Sequence, residues 1–219
     1  MDRLQTAQML LIGVNRSPYT RRVAVTLRAY GVAYEQAGLN GFGNRAEVRA
    51  RNPLGRIPAL VLDSGEVLID SGAIVDHLDE AHGGALPLTP PSGPDRRAVL
   101  KAAALAVGAC DKGLQAAYTR NHTPAEKRHQ PWIDDCVAQA THALAAIEAM
   151  LEPGAPYLLL GRLTQADICA FVAERLARVG LGIDTQATMP RLRALCRQLL
   201  ELPAFASTEI DAAQNTPSS

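Results

Sequence analysis

Gly83-Gly84-Ala85-Leu86-Pro87-Leu88-Thr89-Pro90-Pro91-Ser92-Gly93-Pro94 divides the chain in two. Four prolines and three glycines in twelve residues cannot continue a helix or a central strand. Proline lacks the amide hydrogen that either ladder needs, and glycine loses the most backbone freedom on ordering. The stretch reads as a linker over 83–94, with one domain over 1–82 and another over 95–219.

Upstream of it the order is mixed. The apolar run 9–14 predicts a buried strand. Val23, Leu27 and Tyr30 stand at helical spacing within 18–30, and Gly31 ends that helix before a second strand over 32–37. A weak helical turn is expected over 45–50. Residues 58–62 read as a strand, Asp63-Ser64-Gly65 as a turn, and 66–69 as its hairpin partner. Ile74, Val75 and Leu78 mark one side of a helix over 71–81. The first domain is therefore α/β, a small mixed sheet covered by helices.

Downstream, helical periodicity takes over and an all-α domain is expected. Val99, Ala103, Ala106, Cys110, Leu114 and Ala117 trace one apolar stripe; Ile133, Val137, Ala140, Leu144, Ile147 and Leu151 trace another. Thr164-Gln165-Ala166-Asp167 resembles an N-terminal capping motif ahead of a helix over 168–179. Pro190 opens a last helix through Leu200, and the tail 214–219 is expected to be disordered.

The composition narrows the possible partners. Across 219 residues, 22 basic side chains balance 22 acidic ones, whereas a duplex-binding protein carries a basic excess to neutralise phosphates. Nucleic acid is excluded on that ground, and no polybasic segment suggests a membrane surface. Residues 1–7 are polar, and the run 9–14 is too short for a signal core or a membrane span, so the cytosol is the expected location. Cys110, Cys136, Cys169 and Cys196 lie far apart within apolar helical stretches. That spacing suits neither a zinc site nor a dithiol, and no metal is expected; the cysteines read as buried, reduced small hydrophobes.

Asn15-Arg16-Ser17-Pro18-Tyr19-Thr20-Arg21-Arg22-Val23 joins the first strand to the first helix. Serine is a preferred N-cap and proline fits the position after it. The helix start then presents unpaired N–H groups and a partial positive charge, which together stabilise an anion such as a thiolate. A free thiol has a pKa of about 8.5, and each unit of depression needs about 1.36 kcal/mol. A charge-assisted hydrogen bond from the hydroxyl supplies about 1.5–3 kcal/mol and the helix start about 0.3–1 kcal/mol. A large fraction of a bound thiol would thus be ionised at neutral pH without metal or histidine. The same residues also serve as a plain structural cap, and that reading stays open.

Asn52-Pro53-Leu54-Gly55-Arg56-Ile57-Pro58-Ala59-Leu60 combines a turn with a proline opening a strand, where the backbone of Ile57 could pair with a ligand as a strand does. Since only about 5–6% of X-Pro bonds are cis, sequence alone predicts trans at 57–58. In Ile69-Asp70-Ser71-Gly72-Ala73-Ile74 a strand again meets a helix start. Capping explains Asp70 and Ser71; so does a pair that holds an ammonium at Asp70 and a carboxylate at Ser71 and the helix start.

In their order and spacing these segments resemble the glutathione transferase family over nearly the whole chain, in its serine-type, bacterial-like form. The resemblance implies a thioredoxin-like first domain and a helical second domain in a homodimer, with glutathione as co-substrate, an apolar electrophile and no tightly bound cofactor. It implies that Ser17 bonds the glutathione thiolate, that the Ile57 backbone pairs with the cysteinyl part, and that Pro58 is a cis-proline. Asp70 and Ser71 would hold the γ-glutamyl end; Arg56, Asn44 and Arg45 would lie near the glycyl carboxylate. Tyr19, Phe42 and Tyr118 are candidates for the electrophile site, which in this family lies between the domains. Asp167 would be a buried helix-capping residue. The maleylacetoacetate isomerase pattern carries Ser-Ser-Cys followed by Trp-Arg, and this chain departs from it with Pro18, Tyr19 and Arg21. Conjugation is the leading expectation. A glutathione-dependent lyase, isomerase or peroxidase, and a non-catalytic binding protein, are the alternatives on the same scaffold.

Overall fold

Leu10, Leu11 and Ile12 are the apolar centre of the first strand, and a strand so apolar belongs in the middle of a sheet. The computed structural model describes residues 8–210; the polar start 1–7 and the tail expected to be disordered lie outside the described residues. Strand β1 is Met9–Ile12, β2 Tyr34–Ala37, β3 Ala59–Val61 and β4 Val67–Ile69. They form one sheet in the order β2-β1-β3-β4, with β1 parallel to β2 and antiparallel to β3. Helices α1 (Pro18–Ala29) and α3 (Ser71–His82) pack on each other, and α2 is the short Arg45–Arg49. Leu11 and Leu60 of the sheet share a buried core with Val23, Leu27, Ile74 and Leu78 of those helices. The expected β-α-β-α-β-β-α order is present. Strand β2 starts two residues later than the expected 32, because the Val32 N–H still closes the end of α1 on the Leu27 carbonyl.

The expectation of a trans bond at 57–58 is corrected: the Ile57–Pro58 peptide is cis, as the family resemblance implies. An X-Pro bond has little intrinsic preference, so its surroundings in the fold choose the isomer.

The second part is helical: α4 Gly93–His122, α5 Gln130–Met150, α6 Gln165–Arg175 extended by a wider turn Leu176–Gly180, α7 Thr185–Thr188 and α8 Pro190–Leu200. The buried side of α4 follows Val99, Ala102, Ala103, Ala106, Ala109, Cys110, Gly113 and Ala116, so the expected Leu114 and Ala117 are only half-buried. From Val99 the seam recurs every seventh residue, through Ala106 to Gly113, which keeps it facing helices that run alongside. A Cβ on Gly113 would come within 3.1 Å of Leu176 Cδ2, so the 176–180 turn occupies the space there. On α5 the expected stripe holds, with Cys136 buried beside it and Val137 half-buried.

Asp167 closes the start of α6. Its Oδ2 accepts from the Thr164 N–H at 2.8 Å and the Thr164 hydroxyl at 2.9 Å, and its Oδ1 from the Leu158 N–H at 2.7 Å. Burial pushes its carboxyl above the ordinary aspartate range, against the pull of those hydrogen bonds. All four cysteines are buried and unbridged.

By contact the described chain forms two units, 8–85 with 203–210, and 86–202. The expected domain over 95–219 is therefore divided: α9 (Pro203–Ala206) packs on α1, and Arg21 Nε donates to Thr208 Oγ1 at 3.2 Å. Pro203 cannot continue α8, and the break lets the chain return to the first unit. Within the expected linker, α4 begins at Gly93.

Candidate functional site

Strand register gathers the singled-out segments. Ala37, Ile12, Ala59 and Ile69 lie in one row across the sheet. Because β1 and β2 run toward that row, β3 away from it and β4 toward it, the segments 13–17, 38–44, 52–58 and 70–72 all meet at one end of the sheet. Neighbouring strands are about 4.8 Å apart, so β1 and β4 are separated there by about 10 Å, the length of about three extended residues.

Ser17 is the N-cap of α1, with extended backbone, and its Oγ accepts from the Thr20 N–H at 3.3 Å. Since the oxygen is the acceptor, the hydroxyl proton remains to be donated to something else. The turn that delivers Ser17 needs glycine at 13: φ there is +141°, and a Cβ would stand 2.4 Å from Thr20 Oγ1. Gln36 Nε2 secures the same turn, donating to the Gly13 carbonyl at 2.8 Å and to Asn15 Oδ1 at 2.9 Å.

Asn52 shapes the next segment. Its side-chain amide donates to the Arg56 carbonyl at 2.8 Å, and its Oδ1 accepts from the Leu54 N–H at 3.0 Å. This folds 52–56 into a closed turn, exposes Arg56, and delivers Ile57 to the sheet end just before the buried Pro58. Ile57 lies outside the strand ladder, and neither its N–H nor its C=O has a backbone hydrogen bond among the described residues. Its main chain is open to pairing.

Asp70 is the N-cap of α3, and its Oδ1 accepts from the Gly72 N–H at 2.7 Å. Its φ of +66° lies where a side chain other than glycine's is strained, at a cost of about 1–3 kcal/mol. Asp70 is exposed, whereas Ser71 is 5% exposed and its Oγ accepts from Arg22 Nη1 at 3.3 Å. Asp70 and Arg56 thus place one anionic and one cationic side chain, both exposed, at this end of the sheet.

The remaining candidates are more dispersed. Asn44 caps α2, but its Oδ1 is engaged by the Asn40 N–H at 3.2 Å, and Arg45 is exposed beside it. Phe42, 46% exposed, sits in the 38–44 segment, and Tyr19 is half-buried on α1. Tyr118 belongs to the second unit, 45% exposed on α4 with its ring centroid 5.8 Å from that of His122. Among the described residues no group of three or more His, Cys, Asp or Glu converges to hold a metal, and no helix is long and apolar enough to cross a membrane.

Sequence reasoning missed Arg22 and Asn52 as contributors. Arg22 and Thr26, four apart, flank the apolar positions 23 and 27 and are both buried, so a polar stripe beside the core stripe was the available signal. For Asn52 the signal was an Asn-Pro turn ahead of Gly55.

Comparison with known proteins agrees with this architecture. The family described as Glutathione S-transferase, N-terminal domain matches residues 11–86, and Glutathione S-transferase, C-terminal domain matches 130–198. A maleylacetoacetate isomerase of Pseudomonas aeruginosa is 30% identical, with 95% of this chain and 99% of that relative covered. A glutathione S-transferase of Methylobacterium radiotolerans, solved with glutathione sulfonate, superposes with a TM-score of 0.88 at 26% identity over 97% of this chain and 99% of that one. A glutathione transferase family member of Pseudomonas fluorescens, solved with bound glutathione, gives a TM-score of 0.83 at 31% identity over 94% and 100%.

Proposed function

The chain belongs to the glutathione S-transferase family, and we propose that it binds glutathione along the sheet end, ionises the thiol beside Ser17 and adds it to an apolar electrophile. The observation that carries this is the Ser17 cap: its oxygen is engaged by the Thr20 N–H, so its proton and the start of α1 both favour an anionic sulfur. The tripeptide lies extended, with the cysteinyl backbone on Ile57 just before the cis bond, the γ-glutamyl ammonium on Asp70 and its carboxylate on Ser71. Arg56 serves the glycyl carboxylate, with Asn44 and Arg45 nearby. Tyr19 and Phe42, in the unit that carries Ser17, take the electrophile. Positioning and thiolate stabilisation supply most of the rate. The enzyme works as a serine-type, bacterial-like transferase, as a homodimer in the cytosol; a solution mass equal to one chain would remove the dimer.

A second reading is supported by the 30% identical isomerase: the thiolate adds to an unsaturated acid and leaves again. Pro18, Tyr19 and Arg21 depart from that enzyme's pattern and favour conjugation. Glutathione consumed in step with product supports conjugation, and glutathione regenerated supports isomerisation.

Calorimetric titration with glutathione and with an S-alkyl glutathione tests the reading. Both should bind, and binding of neither would leave a non-catalytic scaffold. Asp70→Gly sharpens the test. Glycine tolerates the positive φ and caps nearly as well, so the melting temperature should stay level or rise, while glutathione binding weakens about tenfold. Undiminished binding would remove Asp70 from the site.

A further inference from the structure

We infer that Asn15 is a further catalytic residue, whose side-chain amide donates to the oxyanion formed when the thiolate adds to an α,β-unsaturated carbonyl compound; the inference rests on the glutathione reading and names the class of electrophile.

The Ser17 N–H closes a turn on the Val14 carbonyl at 3.0 Å, with Asn15 and Arg16 at its tip. Turn tips are ordinarily solvated, yet Asn15 is only 8% exposed. Gln36 of β2 holds it there and fixes which end of its amide faces that strand. Gln36 Nε2 donates to the Gly13 carbonyl at 2.8 Å, an atom that can only accept. The same nitrogen must therefore meet an oxygen on Asn15, and Oδ1 stands 2.9 Å from it. Asn15 Nδ2 is thereby turned away from Gln36, and among the described residues it donates to nothing. An amide so buried and only half used costs stability unless a ligand or water takes its hydrogens.

The turn places this donor beside the sulfur. Asn15 and Ser17 are two residues apart, so their Cα atoms stand at most about 7 Å from each other. On the glutathione reading the cysteinyl and γ-glutamyl parts run from Ser17 toward β3 and β4. Asn15 is anchored instead to β2, on the other side of β1. The amide therefore borders the side of the sulfur from which a second substrate approaches. A fixed N–H donor there favours an electrophile that gathers charge on an oxygen a few bonds from the attacked carbon. An α,β-unsaturated carbonyl does so. The thiolate pair forms the C–S bond at its β-carbon, the C=C pair shifts toward the carbonyl, and the charge arrives on the oxygen that takes the Asn15 hydrogen bond. The α-carbon then takes from water the proton that the thiol had released. An alkyl halide differs: the C–S bond forms as the carbon–halogen bond breaks, and the charge leaves on the halide.

The test measures turnover at saturating glutathione on benzylideneacetone, an unsaturated ketone, and on benzyl chloride. It reads the ratio of the two in the parent chain, in Asn15→Ala and in Asn15→Asp, because any change in the ionised share of the thiol cancels in that ratio. Asn15→Ala should lower the ratio about tenfold to hundredfold, the range for losing one hydrogen bond to a charged oxygen. It should leave the mercaptide absorption of the glutathione complex in place. Asn15→Asp keeps an oxygen for Gln36 but puts a second acceptor where the donor stood, so it should lower the ratio at least as far. That variant carries the test if Asn15→Ala does not fold. An unchanged ratio would leave Asn15 a turn residue only and overturn the inference while the glutathione reading stands. Loss of the mercaptide absorption in Asn15→Ala at an unchanged ratio would place the amide on the sulfur and also overturn it. So would a parent chain that binds glutathione but does not turn over the ketone. A parent chain that binds no glutathione would overturn both.

Discussion

Ser17→Ala should lower turnover with a chloronitrobenzene about tenfold to hundredfold and abolish the mercaptide absorption of the glutathione complex near neutral pH. The magnitude is that of one charge-assisted hydrogen bond to the thiolate, about 1.5–3 kcal/mol, whose loss leaves a smaller share of the bound thiol ionised and able to attack. The structure adds a complication, since the same oxygen caps α1 by accepting from the Thr20 N–H. Alanine therefore removes a cap as well as a donor, at about 0.5–2 kcal/mol of stability and a few degrees of melting temperature. Ser17→Gly separates the two effects, because glycine caps almost as well as serine but offers no hydroxyl. If Ser17→Gly keeps full turnover, the hydroxyl has no part in the chemistry. If both variants lose turnover while Ser17→Gly keeps its melting temperature, the donor role stands.

The largest stability effect is expected at Asp167. Asp167→Ala should cost about 3–5 kcal/mol and lower the melting temperature by roughly 10 °C, read by denaturant or thermal unfolding. The side chain is fully buried and satisfies the Leu158 N–H, the Thr164 N–H and the Thr164 hydroxyl at once. Alanine would strand those donors in the interior, at about 1–3 kcal/mol for each that finds no water, and would undo the capping box of α6. Asp167→Asn should recover part of the loss, since one oxygen remains while the amide group faces donors rather than acceptors. A variant that melts with the parent would show that water replaces the carboxylate, and the capping role would fall. Neither substitution should change KM for glutathione below the melting transition.

The features legible in the sequence are local ones. The capping serine before Pro18, the aspartate before the third helix and the Thr164–Asp167 box each complete their chemistry within a few residues, so composition and spacing reveal them. Even the row of sheet ends follows from the strand and helix order once the pairing is known.

What the sequence by itself determined is where α1, α2, α3 and α8 start and which residues stand at those starts. Tertiary structure alone decided the cis bond at 57–58, the return of 203–210 to the first unit and the contact of Arg22 with Ser71. It also decided that the seam of α4 runs through Gly113 rather than Leu114. The reason is separation along the chain: Arg22 and Ser71 are 49 residues apart, and Arg21 and Thr208 are 187 apart. Periodicity and caps act within a turn or two of helix. A buried cation, by contrast, acquires its neighbour only when two helices pack, and no local pattern encodes which helix that is.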